Sequence, residues 1–177
     1  ELSVDVLERV ERRVLDDDYA TAKWEAAGSE RHVDGVKDGY VDQLVDAVDG
    51  DAIADAALSV VVDPGHGAAS ATSPRVYREL GCAVRTVNAT PDGHFPGRES
   101  EPVPANLTAL SRLVATTDAD VGIAHDGDAD RAVFVDETGA VVDGDTSFAA
   151  LADDTLTPGD AVVSAVNVSQ RVVDVCA

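Results

Sequence analysis

Val60, Val61 and Val62 stand side by side in the run LSVVVD (58 to 63), and the turn-rich PGHGAAS follows at once. A strand with one face in water places a polar residue at every second position, and adjacent valines do not allow that. Such a run needs cover on both faces, the situation of a parallel sheet with helices above and below it. The two glycines of PGHG suit a loop that carries a buried strand into a helix. One short stretch thus points to a layered α/β fold.

The rhythm downstream agrees. A helix is expected over 73–80, ending at Gly81, and CAVRTVN follows as a second strand. A long loop, ATPDGHFPGRESEPVP, holds four of the seven prolines. A helix over 104–117 then sets Leu107, Leu110 and Leu113/Val114 on one face, with proline in its first turn. DVGIAHD and AVFVD read as strands, Glu137 to Gly139 as a hairpin turn, AVVDG as a short extended piece, and 145–152 as a helix. The expected fold is a three-layer α/β/α domain over 51–156 with a mixed, mostly parallel sheet.

Partial α/β units are expected on either side. Leu2, Val6, Val10 and Val14 recur every four residues, as on one face of a helix, and Tyr40, Leu44 and Val48 do the same in DGYVDQLVDAV. Acidic DGDA at 49–52 breaks the pattern, so residues 1–50 are assigned to a preceding unit. LTPGD reads as a linker, and AVVSAVNVSQRVVDVCA as the opening strand and helix of a further unit over 157–177. A sequence without methionine that opens inside a helical pattern is expected to be an internal piece of a longer chain.

Charge narrows the partners. Thirteen basic residues against 34 acidic ones give a formal −21, and Lys23 and Lys37 are the only lysines. Nucleic acid and anionic membranes are disfavoured partners for such a surface. The acids are spread along the whole chain, and the apolar residues are mostly Val and Ala, which suggests a salt-adapted, halophilic protein. In molar salt the Debye length falls to ~3 Å, so self-repulsion would be screened. A fold equally stable in dilute and in molar KCl would contradict this expectation. Cys82 and Cys176 show no CxxC spacing and read as buried thiols, no apolar run approaches the ~20 residues of a membrane span, and no secretory signal is visible. A cytoplasmic location is expected.

The strongest chemical signal is GIAHDGDADRAVFVDETG, in which Asp126, Asp128 and Asp130 alternate as the chain leaves a buried strand. Three carboxylates this close repel one another and raise one another's pKa values unless a cation lies among them. Mg2+ takes oxygen ligands at ~2.0–2.1 Å in an octahedron completed by water and substrate phosphate, which suits the set. A polar hairpin with exposed aspartates is the bland alternative. An EF-hand would find acids at its positions 1, 3, 5 and 12 (Glu137), but Arg131 stands where glycine must turn the loop, and the flanks read as strands. A dehalogenase-type phosphatase would use the Asp126, Asp128 pair. It also needs a small hydroxyl or β-branched residue at 130 and a later lysine, and the sequence has neither.

DGDADR resembles the metal-binding loop of the α-D-phosphohexomutases, the phosphomannomutases and phosphoglucomutases. VVVDPGHGAAS, LGCAV and PDGHFPGRESEP are similar, in order and spacing, to segments of that family's second domain. The resemblance is strong over 58–150 and implies an isomerase of the phosphotransferase kind, active in carbohydrate metabolism. A phosphoserine in the first of four domains would exchange a phosphoryl group with a hexose phosphate (mannose or glucose), through a hexose 1,6-bisphosphate. On this resemblance Asp126, Asp128 and Asp130 hold Mg2+, and Arg131 is a cation at the phosphate edge, or else a structural partner of one of the aspartates. The physics agrees, because phosphoryl transfer depends on positioning and on neutralising charge at the phosphate oxygens.

The family's Ser-His-Asn-Pro type phosphoserine loop is not matched within these 177 residues; ATSP at 71–74 lacks the His-Asn pair. Neither the sugar-recognition loop of the third domain nor the phosphate loop of the fourth is matched. The chain is therefore expected to supply the Mg2+ loop and to be inactive alone. A non-catalytic, acidic metal-binding or interaction module that retains the fold is the other reading. His66 reads as a structural loop histidine, His125 as a packing or surface residue, and His94, Phe95 and Pro96 as packing and turn chemistry. Tyr40 and Trp24 read as core or inter-domain anchors.

Overall fold

The computed structural model describes residues 2–176, which divide after Asp34 into two units. In the first, α1 (Val4–Leu15) forms where the four-residue repeat predicts it, and a single 3-10 turn spans Trp24–Ala26. No residue of α1 is buried, and Trp24 is 84% exposed, so the expected core role of Trp24 does not hold.

The second unit is built on a five-stranded sheet in the order β2-β1-β3-β4-β5. Its strands are β1 (Ser59–Asp63), β2 (Ala83–Thr86), β3 (Val121–His125), β4 (Ala132–Asp136) and β5 (Val141–Val142). β1 runs parallel to β2 and β3, and β4 runs antiparallel to β3 and β5, which makes the mixed sheet expected from the sequence. Val60, Val61 and Val62 are all at most 2% exposed, because both faces of β1 are covered.

On one face α5 (Thr108–Ala115) packs Leu107, Leu110 and Val114 against Val61, Ala124 and Val135. Full burial of side chains this size contributes about 1.5–3 kcal/mol each. A Cβ at Gly122 would lie 2.8 Å from Val114 Cγ2, so this face of β3 is kept small to let α5 approach. Val60, Cys82 and Ile123 form the core of the other face, together with Tyr77 of α4 (Ser73–Glu79) and Ile53 of α3 (Gly50–Asp55). Outside α4 lies α2 (Val36–Asp46), whose Val41 packs with Val76 and Leu80. α6 (Gly144–Thr155) follows β5, and α7 (Gln170–Val175) lies against it with Val172 buried.

Several expectations shift. α2 is buried through Val41 and Val45, while Tyr40, Leu44 and Val48 are 50%, 37% and 47% exposed. The helix carries valines on two sides, and only contact with α4 decides between them. That contact also places α2 with the sheet, ahead of the break at 49–52. The helix expected over 104–117 is a 3-10 turn at Pro104–Asn106 followed by α5. The strand expected at the start of AVVSAV is absent: Val163 and Val166 are fully exposed, and a strand needs a neighbour to take its hydrogen bonds. Cys82 is buried as expected, but Cys176 is exposed. None of the described helices is long and apolar enough to cross a membrane.

Carboxylates fix several turns. Asp136 accepts from the Thr138 hydroxyl (2.6 Å) and from the Thr138 and Ala140 N–H groups (both 2.9 Å), and these bonds, the hydroxyl's first, hold its pKa below the usual range. Asp143, the N-cap of α6, is lowered in the same way by the Thr146 hydroxyl and N–H. A carboxylate whose folded pKa is depressed stabilises the fold above its unfolded value of ~3.9, and that stability is lost as pH falls through the folded value. Between pH 5 and pH 3, in molar KCl, the wild-type chain is expected to lose more thermal stability than Asp136→Asn. Equal losses, measured by circular dichroism melting, would contradict this role for Asp136.

Candidate metal centre

β1 and β3 are parallel neighbours, so their carboxyl ends lie together, and the chain leaves both there. Ligands of open α/β sheets settle at such ends, where connections diverge to opposite sides. After β1 comes the PGHG loop; after β3 comes the six-residue loop Asp126–Arg131, which turns the chain straight back into β4. The flanks are strands paired from Val121↔Asp136 to His125↔Ala132, which excludes the helix-flanked EF-hand. The Ala68 N–H donates to the Gly127 carbonyl (2.9 Å), so the two loops touch.

Asp126, Asp128 and Asp130 each offer one carboxylate oxygen, and the three oxygens lie within 4.8 Å of one another. Ligands on opposite sides of Mg2+ would be about 4.2 Å apart, given bonds of ~2.1 Å. The donor set, all hard oxygens gathered at one point, suits a divalent cation of this type. Asp126 is 3% exposed, while Asp128 and Asp130 face solvent. Burial pushes the Asp126 carboxyl up, but bonds from the Arg131 N–H (3.2 Å) and Nε (2.8 Å) outweigh it and hold the pKa below its ordinary value. Asp130 is pushed up, by its contact with Asp126 and by the charges of Asp128 and Asp126.

Arg131 does more than border the acids. Its Nη1 donates to Glu101 Oε1 (2.6 Å) while its Nε holds Asp126, so the guanidinium links the long proline-rich loop to the aspartate loop. The ion pair with an aspartate, one of its two expected roles, is thus present, and the side chain remains 58% exposed.

Among the described residues, no histidine joins the three aspartates as a candidate ligand. His66, at φ +61°, has Nδ1 2.8 Å from the Thr90 carbonyl and accepts from the Gly97 N–H at Nε2 (3.1 Å). It ties the long loop down, as a structural residue would. The N–H groups of Gly65, His66, Gly67 and Ala68 are all engaged, by Asp63, Asn88, Pro64 and Gly127, so the PGHG loop has none to offer a phosphate. His125 places Nε2 2.9 Å from Ser73 Oγ, and burial lowers its pKa. His94 is exposed beside Asp92. The Phe95 ring lies over the aspartate loop, where a Cβ on Gly127 would be 3.3 Å from Cζ.

Sequence reasoning missed what supports the loop. Asp63, at the end of β1, is fully buried and pairs with Arg98 (Nε to Oδ2, 3.0 Å), and Asn88 donates to both Asp63 oxygens (3.2 Å each). The sole signal was an arginine alone among prolines and acids.

The family described as "Phosphoglucomutase/phosphomannomutase, alpha/beta/alpha domain II" matches residues 38–139, more than half of the chain and all of the aspartate loop. The chain belongs to this family. Within the phosphoglucomutase/phosphomannomutase family, a "Phosphoglucomutase/phosphomannomutase" of Thermococcus kodakarensis is 46% identical over 144 residues, covering 81% of this chain and 31% of the relative. A "Probable phosphoglucosamine mutase" of Methanopyrus kandleri is 46% identical over 134 residues, 75% of this chain and 28% of the relative. A crystal structure of a phosphoglucomutase/phosphomannomutase family protein from Burkholderia thailandensis superposes with a TM-score of 0.76 at 26% identity, over 98% of this chain and 38% of that one. The chain therefore spans about a third of the length of the curated relatives it matches.

Proposed function

We propose that the chain is the Mg2+-binding part of a cytoplasmic phosphohexomutase that interconverts hexose 1-phosphate and hexose 6-phosphate (mannose or glucose). The carrying observation is the convergence of three carboxylate oxygens within 4.8 Å at the carboxyl end of a family sheet. The sheet and its covering helices, up to residue 156, would be the second domain, the residues before them the end of the first, and residues 157–177 the start of the third.

Asp126, Asp128 and Asp130 would hold the ion, which supplies positive charge beside a phosphoryl group and relieves the repulsion of three carboxylates. Asp126 is fixed by Arg131 and by burial, so it presents a preset oxygen; Asp128 and Asp130 close from the solvent side. The exposed edge of the Arg131 guanidinium suits two phosphate oxygens at once. A phosphate arriving there would compete with Glu101 for Nη1. Phosphoserine and sugar contacts would come from other domains.

The reading is tested by titrating the chain with Mn2+ in molar KCl, followed by electron paramagnetic resonance. One saturable site, displaced by Mg2+, is the expected result, and absence of any site would overturn it. The chain alone is expected not to isomerise glucose 1-phosphate; steady turnover by the purified chain would contradict that.

A further inference from the structure

We propose that Arg98 is a positioning residue for the aspartate loop, setting both ends of that loop through one buried guanidinium. The proposal rests on the reading of the loop as a cation site. Arg98 has a side chain 3% exposed, and all five of its N–H donors are used. Nε donates to Asp63 Oδ2, and Nη1 donates to the carbonyls of Glu99 (2.9 Å) and Ser100 (3.2 Å). Nη2 donates to the carbonyls of Asp63 (3.3 Å) and His125.

The Nη2 contacts lie where the ladder stops. β1 and β3 pair as far as Asp63↔Ala124, and beyond that rung the strands separate into different loops. Arg98 bridges the two carbonyls that follow, acting as one more rung made by a side chain. The His125 carbonyl belongs to the peptide that leads into Asp126, so this rung fixes where the first acid leaves the sheet.

Nη1 acts at the other end. By holding the Glu99 and Ser100 carbonyls it shapes the turn that presents Glu101, and Glu101 holds Arg131 Nη1. Arg131 in turn holds Asp126. Both the entry to the loop and its last residue are therefore referred to the same guanidinium. The fork rides close over the backbone: a Cβ at Gly65 would sit 2.5 Å from Arg98 Nη2, and Gly65 has φ +56°. Lysine, a single rotatable ammonium, cannot make five bonds in one plane.

Stability alone is a weak reason for such a group. Buried ion pairs can often be exchanged for apolar residues of similar volume without loss, whereas removing one partner strands the other charge. The test therefore uses two variants of the chain, Arg98→Lys and the paired exchange Asp63→Leu/Arg98→Met, with Leu110→Ala as a core control. Melting temperature and Mn2+ affinity are read for each in molar KCl.

Loss of groups that orient metal ligands typically lowers affinity about 10–100-fold. Arg98→Lys, where folded, and the paired exchange are each expected to weaken Mn2+ binding at least tenfold. Leu110→Ala should melt earlier yet bind as the wild type does. Wild-type affinity in either folded Arg98 variant would overturn the positioning role while leaving the cation site standing. An equal loss in Leu110→Ala would also overturn it, by making the effect one of general stability. A wild-type chain that binds no Mn2+ would remove the cation site and this role together.

Discussion

Asp128→Asn is expected to abolish the saturable Mn2+ site while leaving the fold and its melting temperature essentially unchanged. Asp128 is exposed, and among the described residues no hydrogen bond or ion pair engages its side chain, so the substitution removes a ligand and a charge without unpairing anything. Asp126 would be a poorer choice, because Arg131 depends on it at two points. With 34 acids on the chain, diffuse cation binding is the competing explanation for any Mn2+ uptake. Molar KCl suppresses it, because screening at that ionic strength acts over ~3 Å and leaves only coordinated ions attached. Equal binding by wild type and Asp128→Asn would mean a diffuse acidic surface, and the loop would lose its claim to the ion.

Gly67→Ala is expected to destabilise the chain by about 2–4 kcal/mol and to weaken Mn2+ binding with it. A Cβ at position 67 would stand 2.3 Å from the Gly127 carbonyl oxygen and 2.9 Å from its carbon. The obstacle is backbone, so no rotamer change relieves it. Overpacking of this kind costs roughly 1–3 kcal/mol, and loss of the Ala68 N–H bond to that same carbonyl adds about 1 kcal/mol. Gly127 lies between Asp126 and Asp128, so displacing its carbonyl moves the ligands on both sides. Denaturant unfolding together with Mn2+ titration checks both halves, and wild-type stability would show that the two loops separate freely.

The elements that sequence patterning located share one property: their signals are local. Three adjacent valines declare β1 buried on both faces, and alternating acids after an apolar strand declare the loop, because each pattern is set by its own neighbours. The phase of α2 was misread because valines and a tyrosine occupy two sides of it, and the choice belongs to α4, some 30 residues later in the chain. AVVSAV has the composition of a strand, but a strand is a pairing, and composition does not supply the partner. The aspartates were legible; Arg98 and Asp63, 35 residues apart, were not, since neither periodicity nor motif connects them.

The sheet closes at both sides with very little strand: β2 has four residues at one edge and β5 two at the other. Exposed strand edges are templates for pairing with further chains, and short ones give such pairing few rungs to grip. Arg85, on β2, is tied to Asp118 and Ser59. The strands that are apolar on both faces are thus the enclosed ones, and the edges offer a further chain few backbone groups to pair with.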